Sequence, residues 1–329
     1  MCQPDTRYLS SPNFIATALH SFTFVEVPVM IYGAYCILFR TPNTMKSVKG
    51  LMLSLHIFST MFDMVICVLG VPYILWPVPA GYFLGLVDAP ALLVYCGATL
   101  LAAITANVLA LYENRYYTLF GRKTRWAKLR KPLMSLVYLL VPLFMIPPVI
   151  AVPDQQYARA LALAQIPCPP QFPYLNDHEL FVISLDGSVF LGSIVVSSVL
   201  QTVLITLFFS LTFYNLIWGN ARKFISARTM KIQKNFAIAL TIQSNFMLTF
   251  MLAPVAAILL IIIMDYHDQT LNNFVFIVLS FHGVGATIVM ILVHKPYREF
   301  TFYYLCNKGE KKWKTTGQFS TAPSLNVVF

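Results

Sequence analysis

The sequence predicts an all-α membrane protein, a bundle of seven membrane-spanning helices with its N-terminus outside the cell and its C-terminus in the cytoplasm. Three observations predict it. Of the 329 residues, 58% are hydrophobic and only 11% are charged, against about 25% charged in ordinary soluble domains. Seven apolar runs are each long enough to cross a bilayer. Lys and Arg are confined almost wholly to alternate connections between those runs.

A soluble core could not absorb this much apolar surface, whereas a bilayer can. No stretch reads as a soluble domain, a solenoid repeat or a low-complexity block. The net charge is +10. In a nucleic-acid binder such charge would cover one face; here it alternates with apolar runs, which is the pattern of membrane topology. No nucleic-acid partner is expected. The first apolar run has no basic flank before it and no small-x-small cleavage site after it, so it reads as a retained helix and not as a signal peptide.

A spanning helix needs about 20 mostly apolar residues, because the hydrocarbon core is about 30 Å thick and each helical residue rises about 1.5 Å. The segments that qualify are 19–39, 51–75, 91–112, 133–152, 189–217, 236–264 and 274–293. This divides the chain into an outer N-terminus (1–18), a seven-helix domain (19–294) and a cytoplasmic tail (295–329). The longest connection, 153–188, follows the fourth span.

Of the 23 Lys and Arg residues, only Arg7 and Arg159 fall in the N-terminal segment or in connections after even-numbered spans. The other 21 follow spans one, three and five or lie in the tail; Arg122, Lys123, Arg125, Lys128, Arg130 and Lys131 cluster after the third. The preference of Lys and Arg for the cytoplasmic side therefore sets the orientation. Asp5, Asp88, Asp154, Asp177, Glu179, Asp186, Asp265 and Asp268 all fall on the opposite side. An odd number of spans in this orientation is the layout of a G-protein-coupled receptor, although some transporters and enzymes share it.

Among six cysteines, Cys96 falls near the outer end of the third span and Cys168 in the second outer connection. Both face an oxidising compartment, where a disulfide can persist; two free thiols are the alternative. Cys36 and Cys67 lie at membrane depth and read as small apolar packers. Cys306 follows the seventh span beside Phe300, Phe302, Tyr303, Tyr304 and Leu305. There a palmitoyl group would hold a short helix on the membrane surface.

Few ionisable residues lie at membrane depth: Glu26 in the first span, His56 and Asp63 in the second, and His282 in the seventh. His56 and Asp63 are seven residues apart and share a helix face, with Thr60 between them. Such groups cost roughly 3 kcal/mol or more in lipid and so face the bundle interior or water. Ligand contact, an ion or proton site, and interhelical hydrogen bonding are the competing roles. A structural or switch role suits the deep Asp63 better, and Glu26 divides evenly. Asn107, Gln243 and Asn245 read as polar glue between helices. Pro28, Pro72, Pro142, Pro147, Pro148 and Pro254 each remove a backbone donor. Pro254 stands where a bend would let the cytoplasmic half of the sixth helix swing.

Three clusters close the cytoplasmic ends: Glu113-Asn114-Arg115 after the third span, Lys231-Ile232-Gln233-Lys234 before the sixth, and Lys295-Pro296-Tyr297-Arg298 after the seventh. In receptors these ends surround the G-protein cavity. Basic residues also belong on this side for topological reasons and bind anionic lipid, so spacing alone does not favour docking. No His-Glu-x-x-His, Gly-x-Ser-x-Gly or phosphate-cradling glycine loop occurs, and no histidines pair at metal-ligand spacing. No enzyme activity, cofactor or metal is expected, and no N-glycosylation sequon is present.

The chain resembles the nematode serpentine receptor class H (Srh) family, a branch of the Str-type chemoreceptors, over nearly its whole length. The resemblance rests on Thr41-Pro42 with Met45 and Lys49, then Asp63 and Pro72-Tyr73, then Glu113-Asn114-Arg115-Tyr116 and Pro167-Cys168. It continues through Gln233-Lys234-Asn235-Phe236, Gln243 and Pro254 to Lys295-Pro296-Tyr297-Arg298. What it implies is a G-protein-coupled chemoreceptor for a small external molecule, in the plasma membrane of a sensory neuron, ciliary by expectation. It also supports the Cys96–Cys168 pairing. Glu113-Asn114-Arg115 stands where rhodopsin-like receptors carry Asp-Arg-Tyr, but Asn114 separates acid from arginine, so the ionic lock of those receptors does not carry over. Arg115, Lys231, Lys234 and Arg298 are the expected partner contacts, with Glu113, Asn114, Pro296 and Tyr297 beside them. A transporter or channel is the alternative. It would need an ionisable pathway across the midplane, for which only Glu26, His56 and Asp63 are candidates.

Overall fold

The computed structural model describes residues 7–166, 172–185, 187–217 and 227–306. Its first helix, α1 (Pro12–Arg40), begins earlier than the apolar run alone suggests. Ser11 caps it by accepting from the Phe14 amide, and Pro12 occupies the first turn, where a missing N–H costs nothing. The second span is α2 (Lys46–Met64), prolonged by a wider π-helical turn over Val65–Gly70. Here the expected helix to residue 75 is corrected. Val71 takes a left-handed conformation at φ 42° and Pro72 lacks an amide donor, so the chain leaves the helix and forms β1 (Pro72–Ile74).

β1 turns back into β2 (Ala80–Phe83), pairing Tyr73 with Tyr82 in antiparallel register. The third span is α3 (Pro90–Leu119). The fourth is divided into α4 (Trp126–Leu143) and α5 (Ile146–Ile150). Pro147 and Pro148 are the reason: neither can donate to the preceding turn, so they stand in the first turn of a new helix.

The long connection expected at 153–188 contains two elements of its own. α6 (Gln155–Gln165) is capped by Asp154, and β3 (Phe181–Val182) adds to β2 as a third strand. The Gln155 side chain holds the Val182 backbone at both its N–H and its C=O, 2.9 and 3.1 Å away. A small sheet thus roofs the outer end of an otherwise helical protein.

The remaining spans are α7 (Ser188–Ile217), α8 (Ala227–Ile263) and α9 (Gln269–Val293), followed by a short α10 (Lys295–Cys306). All seven are long and apolar enough to cross a membrane. They are not equivalent. α9 buries 61% of its most apolar stretch inside the bundle, the fourth and fifth spans only 17%. α3 packs against α2, α4 and α7, and α9 against α1, α2 and α8. These two helices are therefore the axis. α4 and α7 turn Leu136, Leu139, Val196, Val199 and Val203 outward, where only lipid suits them.

Candidate functional site

Three layers along the bundle carry the chemistry. The first, toward the outer end, is an apolar cavity of about 150 Å³ between α2, α3, α7, α8 and α9, beneath the sheet. Phe62, Leu101, Phe190, Ile258 and Leu279 help to wall it, and Pro72, Ile74, Phe83 and Ile183 form its roof. Helical periodicity brings Leu93, Gly97 and Leu101 of α3 onto the same wall. The roof is held by polar side chains at i, i+3 and i+4 on α9. Gln269 donates to the Ile74 carbonyl at 3.2 Å, Asn272 to the Trp76 carbonyl at 3.0 Å, and Asn273 to the Leu9 carbonyl at 2.9 Å. The sequence reading missed this row; three amide side chains on one face at the start of an apolar helix were the available signal.

The middle layer is the ionisable cluster, which the structure brings together from α1, α2 and α9. His282 Nδ1 lies 3.1 Å from Asp63 Oδ1, both side chains wholly buried. Glu26 is 1% exposed and sits against Asp63. His56 shares Asp63's helix but bonds elsewhere, with its Nε2 2.8 Å from the Met30 carbonyl. Two glycines admit these groups. A Cβ on Gly33 would lie 2.8 Å from the His56 ring, and one on Gly283 would run into the Asp63 carboxylate. None of Glu26, His56, Asp63 and His282 lines the outer cavity. The cluster nonetheless touches it through two lining residues: the Leu279 carbonyl lies 2.9 Å from His282 Nδ1, and the Phe62 ring meets the His282 ring edge-on, centroids 5.2 Å apart.

The third layer closes the cytoplasmic end. Successive helical residues point about 100° apart, so Glu113, Asn114 and Arg115 serve three different neighbours. Glu113 is buried against α4, where its carboxylate accepts from Trp126 Nε1 at 2.7 Å and from Arg130 at 2.8 Å. Asn114 donates toward the Ser47 carbonyl at the start of α2, 3.4 Å away. Arg115, 3% exposed, crosses to α8: it donates to Gln233 Oε1 at 3.0 Å and stacks 3.4 Å over the Phe236 ring. The cation is held by a neutral amide and an aromatic face, so the link between the third and sixth spans is not an ion pair.

His294 extends this layer from the end of α9. Its Nε2 lies 3.1 Å from Gln243 Oε1 and its ring packs against Phe236. Burial, with the nearby positive charge of Arg115 as the second cause, holds it down to about 4, so it donates to Gln243 as a neutral imidazole. Tyr297, grouped with the contact and switch residues, faces inward. It is fully buried, and its hydroxyl pairs with Thr41 at 2.7 Å, which ties α10 to α1; burial pushes its hydroxyl up to about 12. Lys231, Lys234 and Arg298 are exposed and Pro296 half-buried at the same end. Pro254 is buried within α8, beside the cavity residues Val255 and Ile258.

Cys96 stands half-buried near the start of α3; Cys168, its expected partner, lies outside the described residues. Cys306 is the last residue of α10. No group of three or more His, Cys, Asp or Glu side chains is arranged to hold a metal ion among the described residues.

The fold and sequence have clear relatives. The chain is 27% identical over 313 residues to serpentine receptor class H-72 of Caenorhabditis elegans, covering 91% of this chain and 88% of that protein. The structure is similar to that of squid rhodopsin, with a TM-score of 0.56 at 10% identity, covering 94% of this chain and 90% of the other. That likeness shows the seven-helix bundle alone. Residues 10–307 match the family described as "Serpentine type 7TM GPCR chemoreceptor Srh", and the chain belongs to that family.

Proposed function

We propose that this protein is a chemosensory G-protein-coupled receptor, which binds a small external molecule between the outer halves of its helices and activates a heterotrimeric G protein. The observation that carries the reading is the bridge from Arg115 to Gln233 and Phe236. It ties α3 to α8 at the end where a G protein would dock. An outward swing of α8 would break one hydrogen bond and one stacked contact and uncover the guanidinium. Ligand in the outer cavity would favour the arrangement that binds it better and shift the population toward it.

The route between the two ends runs through Phe62. A ligand pressing on its ring would be felt at His282, and through it at Asp63 and Glu26, which join α1, α2 and α9. Pro254 deprives α8 of one backbone hydrogen bond beside the cavity wall and supplies the compliant point. Lys231, Lys234 and Arg298 would meet the G protein or anionic lipid. A palmitoyl group on Cys306 would anchor α10 at the bilayer surface, and the ciliary membrane of a sensory neuron is the expected location.

The test is Arg115→Ala in cells that report G-protein activation. Signalling should be abolished while surface expression persists. Full ligand-driven activation by this variant would refute the role. Ligand-evoked current in cells lacking G proteins would point to a channel or transporter instead.

A further inference from the structure

The outer cavity has a chemical character more specific than its position. We propose that it takes an uncharged, mainly apolar molecule of about the size of benzene that carries one hydrogen-bond acceptor, and that this molecule enters past the indole of Trp76. The inference names the ligand class for the receptor reading above and rests on that reading for its physiological meaning; the binding itself does not need a G protein.

The first argument is what the walls lack. Among the described residues, none that lines the cavity carries a charge, an amide or a hydroxyl in its side chain. A carboxylate or ammonium placed there would surrender its hydration without a partner, a cost of many kcal/mol in a medium of this kind. Acids, amines, amino acids and sugars are therefore poor occupants. The volume of about 150 Å³ also sets a scale: an engineered apolar cavity of roughly 150 Å³ stays dry and accepts benzene.

The second argument is a donor without a partner. Trp76 is 3% exposed, and its Nε1 is buried with no hydrogen-bond partner in the structure. Among the described residues it is the one side chain of the lining that carries a polar hydrogen. An occupant with an acceptor meets this buried N–H, which a plain hydrocarbon leaves unpaired. Ketones, aldehydes, esters and ethers fit this description.

The third argument is position. Trp76 and Leu191 line both this cavity and a second, outer one of about 420 Å³ that Gln165, Asp265 and His267 make polar. They stand between a polar vestibule and the apolar chamber. The Trp76 carbonyl is fixed by His267 Nδ1 at 2.7 Å and by Asn272 at 3.0 Å. The backbone is thus held, and the indole is the part that can turn to admit a molecule.

Gly97 provides the means of testing this. It lies on the cavity wall, and a Cβ added there would meet nothing within 4 Å. Gly97→Leu should fill the chamber without disturbing its surroundings, and a helix-interior glycine replaced by leucine favours the helix. The experiment measures thermal unfolding of the full-length receptor in lipid nanodiscs against three probes with one ring in common: cyclohexanone, cyclohexane and sodium cyclohexanecarboxylate. Cyclohexanone and cyclohexane should both stabilise the receptor, and the carboxylate should not. Trp76→Phe should raise the cyclohexanone concentration needed roughly five- to tenfold, as expected for one neutral hydrogen bond, and leave the cyclohexane response unchanged. Gly97→Leu, whose folding is verified by its own unliganded transition, should abolish both effects.

The proposal is overturned if the carboxylate stabilises as well as the ketone, if the ketone effect survives Gly97→Leu, or if no probe shifts the transition. Ketone binding in a protein that never activates a G protein would leave the cavity assignment standing and remove the receptor reading. Arg115-dependent signalling without any probe binding would do the reverse.

Discussion

Arg115 of α3 donates to Gln233 of α8 at 3.0 Å, while Glu113, two residues earlier, turns away to pair with Arg130 of α4 at 2.8 Å. The acid and the base of the motif are thus separated, and each ties α3 to a different helix. This division makes the cytoplasmic end testable one contact at a time.

Gln233→Leu removes the acceptor and leaves Arg115 on the Phe236 ring. A hydrogen bond from a charged donor is worth about 1.5–3 kcal/mol, so the ratio of resting to active arrangements should fall roughly tenfold or more. Basal nucleotide exchange on a co-expressed G protein, measured without ligand, should rise. Gln233→Glu would turn the contact into an ion pair and should lower basal exchange. Equal basal exchange in wild type and Gln233→Leu would mean that this contact does not hold the resting state.

Glu113→Leu acts on stability. It strips partners from Trp126 Nε1 and Arg130, and a buried polar group left unsatisfied costs about 1–3 kcal/mol. Thermal unfolding in nanodiscs should shift down by several degrees. In a double-mutant cycle with Arg130→Gln the two losses should not add, because they report one contact.

Gly283→Ala addresses the middle layer. The added methyl would meet the Asp63 carboxylate and, at 2.6 Å, the Met30 methyl. Overpacking of this kind costs about 1–3 kcal/mol. Folded yield and unfolding temperature should both fall, and a second change, Met30→Ala, should recover part of the loss. An undiminished transition in Gly283→Ala would show that α9 and α2 do not pack this closely.

His294 gives a pH dependence with a definite sign. Folding holds it down to about 4, from an ordinary value of 6.5. Between those values an unfolded chain binds a proton that the folded protein refuses. The stability due to neutral His294 is complete above about pH 6.5 and is lost as pH falls toward 4. The loss should be on the order of 3 kcal/mol, read as a falling unfolding temperature across that window. His294→Gln should flatten the slope; an identical slope in that variant would assign it to other groups.

Periodicity and charge asymmetry made the bundle legible because both act along the chain. Twenty apolar residues cross a bilayer whatever surrounds them, and Lys123 or Lys295 marks a cytoplasmic end without reference to any neighbour. Glu26, Asp63 and His282 were visible for the same reason, since an ionisable group at membrane depth is costly by itself. The roof over the cavity was not visible. Pro72, Tyr73 and Trp76 extend an apolar run, and only pairing with residues 80–83 and then 181–182 makes that stretch a sheet.

By itself, the amino-acid order determined how many times the chain crosses the membrane, which way it faces, and which polar groups must be hidden. Tertiary structure alone decided their partners: His282 for Asp63, Gln233 for Arg115, Arg130 for Glu113. It also decided that Trp76 stands between a polar vestibule and an apolar chamber. The reason is that burial is a property of one segment and its solvent, whereas a hydrogen bond requires two groups that the chain holds 118 residues apart, as with Arg115 and Gln233, until packing brings them within 3.0 Å.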